Sequence, residues 1–217
     1  MSGPPSGPPL NMGPTRIILD VKGDVPDWKE EYKQFLLAVK DSDGYFRYRW
    51  GPWEEDHSKL EILATWNPAE KRQEFGTCPH HQKAIDALKP ILKTTPSRCP
   101  RTDFDAMAAP PPPQLINVPI CEIVTINHFT GDKDAVGAAF KTAETLPGCL
   151  SSHSTITTKD HPEHGTVWLG FVGWKDYESS KAVDKSKYIP SGVGEVESHH
   201  INFSFPIKGY SVTNPGR

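Results

Sequence analysis

Cysteine is scarce in this chain, and what there is does not cluster. Cys78, Cys99, Cys121 and Cys149 contain no CxxC pair and no metal-ligand spacing, which excludes a zinc ribbon and a dithiol redox motif. They read as reduced thiols of a cytoplasmic protein, with a Cys99–Cys121 disulfide left open. No stretch approaches the ~18 consecutive apolar residues of a membrane helix. The start of the sequence lacks the basic and apolar blocks of a secretory signal. Charge of one sign is missing too: the net charge is −3 and both signs are mixed along the chain. A nucleic-acid partner requires a basic stripe for its phosphates, so that class is disfavoured. There is no HxH, HExxH, glycine-rich phosphate loop or nucleophile elbow, so no metal, cofactor or nucleotide is expected.

Aromatic residues, by contrast, are plentiful and periodic. Residues 1–14 hold five Pro and three Gly and predict a disordered tail. Residues 16–21 (RIILDV) form a first strand. Asp27 then caps a helix whose apolar positions, Trp28, Tyr32, Phe35, Leu36 and Val39, share one face. Two strands follow, 45–50 (YFRYRW) and 60–66 (LEILATW). Asn67-Pro68 opens a second helix, which breaks at Phe75-Gly76 and continues over 82–92. A fourth strand is placed within 98–107.

Residues 108–114 (AAPPPPQ) read as a semi-rigid polyproline spacer. After it the order recurs: a strand at 121–129, a helix around Val136 and Phe140, strands at 150–157 and 166–174, a helix over 176–187 and a last strand at 199–205. The spacing also recurs. Trp66 matches Trp174, Phe75 nine residues on matches Val183, and His80 matches Tyr188.

The fold class this implies is α+β. Two ferredoxin-like β-α-β-β-α-β repeats pack sheet to sheet as an intramolecular barrel pseudo-dimer. The boundaries are 1–14 tail, 15–107 first half, 108–117 linker, 118–208 second half and 209–217 tail. The turn at Trp50-Gly51 to Glu55, the strand ending at Trp66 with the helix through Phe75 to His80, and residues 171–174 with the helix after them carry a family resemblance. Both halves resemble the dimeric α+β barrel superfamily, in the branch of antibiotic-biosynthesis monooxygenases and stress-responsive barrel proteins. The resemblance implies a ligand pocket between each sheet and its helices. It also raises haem degradation, but the Asn of that family's Asn/Trp/His set is missing from the first strand.

Candidate catalytic groups are His80, after Pro79 in the broken helix, and His153 and His128 on strands; each suits a general base. Trp50, Trp53, Trp66, Phe75, Trp174 and Tyr188 offer flat surface to an aromatic substrate, and Arg49, alternating with Arg47, offers a guanidinium to a phenolate. For every one of these the competing reading is structural: core packing for the aromatics, a surface or sheet role for the histidines, the outer sheet face for the arginines. The acidic run at 54–56 reads as a solvated loop. His199 and His200 sit on opposite strand faces, so at most one points inward. The expected function is a small cofactor-independent enzyme of secondary metabolism, an oxygenase or a cyclase/isomerase. It would act on a hydrophobic aromatic or polyketide-like substrate by His-assisted proton abstraction. A non-catalytic ligand-binding or stress-responsive barrel is the alternative. The assembly would be a monomeric pseudo-dimer or a further homodimer, without nucleic acid or membrane.

Overall fold

A computed structural model describes residues 13–93 and 105–203. The expected tail over 1–12, most of the fourth-strand segment and the chain beyond 203 lie outside the described residues. Gly13 and Pro14, expected in the tail, belong to the first strand, β1 (Gly13–Asp20).

Helix α1 (Val25–Lys40) buries the five predicted positions and Ala38. Its cap is Asp24 rather than Asp27: the Asp24 carboxylate accepts from the Val25 amide at 2.6 Å, and Asp27 reaches back to the Asp24 amide at 2.9 Å. The first-turn acid is thus the reciprocal member of a capping box. Strands β2 (Tyr45–Pro52) and β3 (Lys59–Trp66) follow. Asn67 does not cap a helix. The Asn67-Pro68 bond is cis, and α2 (Lys71–Phe75) starts only at Lys71. Then come α3 (Pro79–Leu88) and a short β4 (Asp105–Ala106). The proline run ends in one helical turn, α4 (Pro113–Ile116). The rest is β5 (Ile120–Asn127), α5 (Lys133–Lys141), β6 (Cys149–Ile156), β7 (Trp168–Trp174), α6 (Tyr177–Lys181) and β8 (Glu195–Ile201). The last strand starts earlier than its buried residues suggest, because its first four residues, 195–198, are exposed.

All pairings are antiparallel. The first sheet has the order β2-β3-β1-β4 and the second β6-β7-β5-β8. Each is thus a four-stranded ferredoxin-like sheet with its longer helices on one face, while the single turn α4 lies on the other face of the second sheet. β2 and β6 carry register shifts at corresponding places, between Tyr45 and Arg47 and between Cys149 and Ser151. The skipped residues, Phe46 and Leu150, stand exposed, as expected of a bulge that turns a side chain outward.

Each sheet has its own helix-side core. In the first, Trp28, Tyr32 and Trp50 meet edge to face, with Trp50 packed 4.7 Å from Tyr32. In the second, Phe140 packs on Trp168 at 4.9 Å and on Tyr188 at 5.7 Å. A third core mixes the two: Leu63 and Met107 of the first unit pack with Leu115, Cys121, Ile123, Leu169, Phe171 and Ile201. Cys121 lies there as a free thiol; Cys99, the other half of the disulfide left open, lies outside the described residues. The sheets also touch at their edges. Trp53 bridges to Ile201 and Met107 to Thr157, with the Glu54 amide on the His200 carbonyl and the Ala108 amide on the Ile156 carbonyl, both at 2.9 Å.

Candidate functional site

Two carboxylates stand inside otherwise apolar strands, Glu61 on β3 and Glu122 on β5, and both are fully buried. A buried carboxylate persists only where donors replace its water. Each has gathered a cluster of them, and the neighbouring histidines of β8 reach one cluster apiece. Strand pleating sends adjacent side chains to opposite faces, so His199 enters the space between the sheets and His200 faces the helices of the second unit.

Glu61 accepts from Arg16 Nε at 2.7 Å and Nη2 at 3.3 Å, from the Trp53 indole at 3.1 Å and from His199 Nε2 at 2.7 Å. The Trp53 ring lies flat on the His199 imidazole, 3.7 Å between centroids. Burial works against the charge, but Arg16 and then His199 outweigh it and hold the Glu61 carboxyl at about 2. Arg16, Trp53 and Glu61 come from the first sheet and His199 from the second, so the cluster joins the two.

Glu122 Oε2 accepts from the Trp174 indole at 3.0 Å, the Ser180 hydroxyl at 3.1 Å and the Tyr188 hydroxyl at 2.9 Å. Lys185 closes on Oε1 at 2.6 Å. Burial, then Glu122, push the Tyr188 phenol well above its usual range. Ser180 Oγ also lies 2.7 Å from His200 Nε2, and His200 Nδ1 lies 2.5 Å from Glu55 Oε1. The second Glu55 oxygen accepts the His200 amide at 3.0 Å. Partial burial opposes ionisation of Glu55, but the bonds from His200 prevail and bring it to about 2. The acidic run is therefore not uniformly a solvated loop. All three acids are exposed, but Glu55 alone folds back onto β8 through His200.

Of the residues expected from sequence, Trp174 and Tyr188 meet at Glu122, and Trp53 belongs to the Glu61 cluster. Trp50, Trp66 and Phe75 pack in the helix-side core of the first unit, with Trp66 5.0 Å from Phe75. Arg49 pairs across from Leu63, on the inter-sheet face, where burial and then Arg47 lower its pKa. His80 is half-buried in the first turn of α3, and His128 is exposed at the end of β5 with φ 49°. His153 is half-buried on β6, opposite Phe171. Its Nε2 is buried with no hydrogen-bond partner, and burial, then Lys141, lower its pKa. Ser151 Oγ, two residues away on the same strand face, and Thr125 Oγ1 on β5 are likewise buried without partners. No hydrogen bond or ring contact joins any two of His80, His128 and His153. A surface depression lined by Leu146, Pro147, Lys175, Ser179 and Val183 holds none of the histidines.

Sequence reasoning passed over Arg16, Glu61, Glu122 and Ser180, and set Glu55 aside with the acidic run as a solvated loop. A usable signal existed for two of them, because a lone carboxylate inside an apolar strand must find donors. Among the described residues no group of three or more His, Cys, Asp or Glu is arranged to hold a metal ion, and no helix is long and apolar enough to cross a membrane.

No protein-family model matches the sequence, and neither does any characterised protein. Solved structures do match in shape. A protein provisionally named a monooxygenase from Fusobacterium nucleatum superposes with a TM-score of 0.55 at 10% identity, covering 89% of this chain and 92% of that one. A similarly named protein from Lactobacillus acidophilus gives 0.53 at 10% identity, over 87% and 93%. An anthrone oxidase-like protein gives 0.57 at 10% identity, over 88% and 90%. At that identity the likeness is one of fold, and the chain shares the mixed α+β, ferredoxin-like architecture of these proteins.

Proposed function

We propose that the chain is an oxygenase-type enzyme that removes a proton from a hydrophobic, aromatic carbon acid and passes the resulting electrons to dioxygen. The observation that carries this reading is the imidazole of His153. Burial and then Lys141 favour its neutral ring, and its buried Nε2 has no protein partner; in the tautomer with the proton on Nδ1, that nitrogen presents a lone pair on the inter-sheet face. The unpartnered hydroxyls of Ser151 and Thr125 on that same face offer donors to a developing enolate or phenolate oxygen. Arg49, on the inter-sheet face of the first sheet, adds positive charge.

The architecture behind this reading is a tandem pseudo-dimer, residues 15–107 and 118–208 joined by 108–117, whose two sheets close into one barrel. The equal strand orders and the two edge bridges support it. In the step itself, the acidic C–H gives its proton to His153. The carbanion forms a C–O bond to dioxygen, the resulting peroxide anion takes the proton back from His153 to give the carbon-bound hydroperoxide, and loss of water leaves the ketone or quinone.

Anthrone, an enolisable tricyclic, is the probe, with oxygen uptake and anthraquinone formation as readouts. The wild-type protein is expected to accelerate both over buffer, and His153→Ala to lose at least about 100-fold in kcat, the usual worth of a positioned base. His80→Ala is measured in parallel, and a larger loss there moves the base to the first unit. Tight anthraquinone binding without oxygen uptake would replace the enzyme reading with that of a non-catalytic ligand-binding barrel.

A further inference from the structure

The Glu122 cluster is linked to solvent by a chain of hydrogen bonds whose directions can be worked out. Glu122 and Glu55 are carboxylates that only accept when ionised. Lys185 sits on Glu122, and Glu55 is held at about 2. His200 Nδ1 must therefore donate to Glu55. If the Ser180 hydroxyl donates to Glu122, its oxygen has lone pairs left for a proton on His200 Nε2. All of these bonds are made together only when His200 carries both ring protons. Once Nε2 is bare, one hydroxyl proton is wanted by two acceptors, Nε2 at 2.7 Å and Glu122 at 3.1 Å. The shorter contact and the remaining donors on Glu122 (Trp174, Tyr188, Lys185) favour rotation toward His200.

We propose that Glu55, His200 and Ser180 form a proton relay that couples the buried Glu122–Tyr188 cluster to water. Its outer end, Glu55, is about one-third exposed, with side-chain accessibility of 36%. Its inner members, Ser180 and Glu122, are fully buried. Inward transfer moves the Nε2 proton of His200 to Ser180 Oγ while the Ser180 proton passes to Glu122. Imidazolium and carboxylate become imidazole and carboxylic acid, with charge and protons conserved. The other groups around His200 are Tyr177 on α6, with its ring 4.9 Å away and its hydroxyl on Glu55 at 3.4 Å, and Glu122 itself, directly across from His200 on β5. Lys185 lies beyond Glu122 and also bonds Ser198 on β8 at 2.9 Å. Because Glu55 belongs to the turn of the first unit and the other members to the second, docking of the two units completes the relay. The inference is independent of the oxygenase reading.

Trp174 is a built-in reporter, since its indole N–H bonds Glu122 directly. The test follows the Trp174 indole resonance and the His200 ring resonances by NMR as the pH is varied. In the wild-type chain both are expected to move on one midpoint. In Ser180→Ala the His200 signals still titrate but the Trp174 step is lost, and Ser180→Thr, which keeps a hydroxyl, restores it. Glu55→Gln leaves the hydroxyl in place and is expected to move both signals to one shared new midpoint; this arm stands even if the alanine variant does not fold. A Trp174 signal that ignores His200 in the wild-type chain would overturn the relay. So would one that still follows His200 in Ser180→Ala, or separate midpoints in Glu55→Gln.

Discussion

Replacing Glu61 removes a carboxylate that Arg16 and His199 share, two groups that are each less than a tenth exposed. Breaking a buried pair from one side leaves an uncompensated charge and costs about 3–5 kcal/mol, so Glu61→Gln is expected to lower the urea midpoint strongly. The same carboxyl makes stability depend on pH. Its pKa is about 2 in the folded chain against the ordinary 4.5, a difference worth about 3 kcal/mol. A lowered folded value means that this stability is fully present above about pH 4.5 and is lost as pH falls through about 2. Urea titrations at about pH 5 and about pH 3 should therefore show a fall in wild-type stability that is smaller in Glu61→Gln. Glu55 bends the curve in the same direction but more weakly, because solvent screens its partly exposed carboxylate.

At the scale of elements, the edge where β2 runs onto β8 depends on Gly51. A Cβ there would stand 2.5 Å from the Asn202 carbonyl oxygen and 2.8 Å from Ile201 Cγ2. The first of these is backbone and cannot swing aside, so Gly51→Ala must push the strands apart. A cost of about 1–3 kcal/mol is expected, read as a lower melting temperature and weaker protection of the Glu54 amide from hydrogen exchange. Helix α1 and the strands ending at Trp66 and Trp174 could be read from sequence because their signals are local: a 3.6-residue period in one case, short β-branched and aromatic runs in the others. The alternation of His199 and His200 could be read as well, but the expectation that at most one points inward fails, because both faces of β8 are covered there and both rings are buried. Their partners could not, since Glu61 and Glu55 lie 138 and 145 residues away and no periodicity links them. The acids at 54–56 misled for a related reason. Composition marks a charged loop as solvated, but it cannot tell that one of three consecutive carboxylates folds back onto a strand from the other end of the chain. Conversely, the large aromatics drew attention as ligand surface, yet Trp50 and Trp66 are filled in by their own neighbours, Tyr32 and Phe75.

For the molecule as a whole, the question is whether the two ferredoxin-like units melt separately. Two linked units unfold in separate steps when each outlasts the contacts between them, and in one step when those contacts hold a large share of the stability. Here the shared part is extensive. Leu63 and Met107 pack into a core built mainly from the second unit, and the Glu61 and Glu55 carboxylates are each answered by a histidine of β8. Separation would expose this apolar face and leave Glu61 and His199 to find water in place of one another, while Arg16 stays with Glu61 in the first sheet. The buried Leu63 side chain alone is worth about 2–5 kcal/mol on truncation to alanine. The indole N–H resonances of Trp50, in the first core, and Trp168, in the second, should therefore vanish at the same urea concentration. Leu63→Ala should move both to lower urea together, although its side chain touches neither of those helix-side cores. Resolved midpoints for the two tryptophans in the wild-type chain would mean that the units are independently stable. The relay through Glu55 and His200 would then be broken by undocking before either unit unfolds.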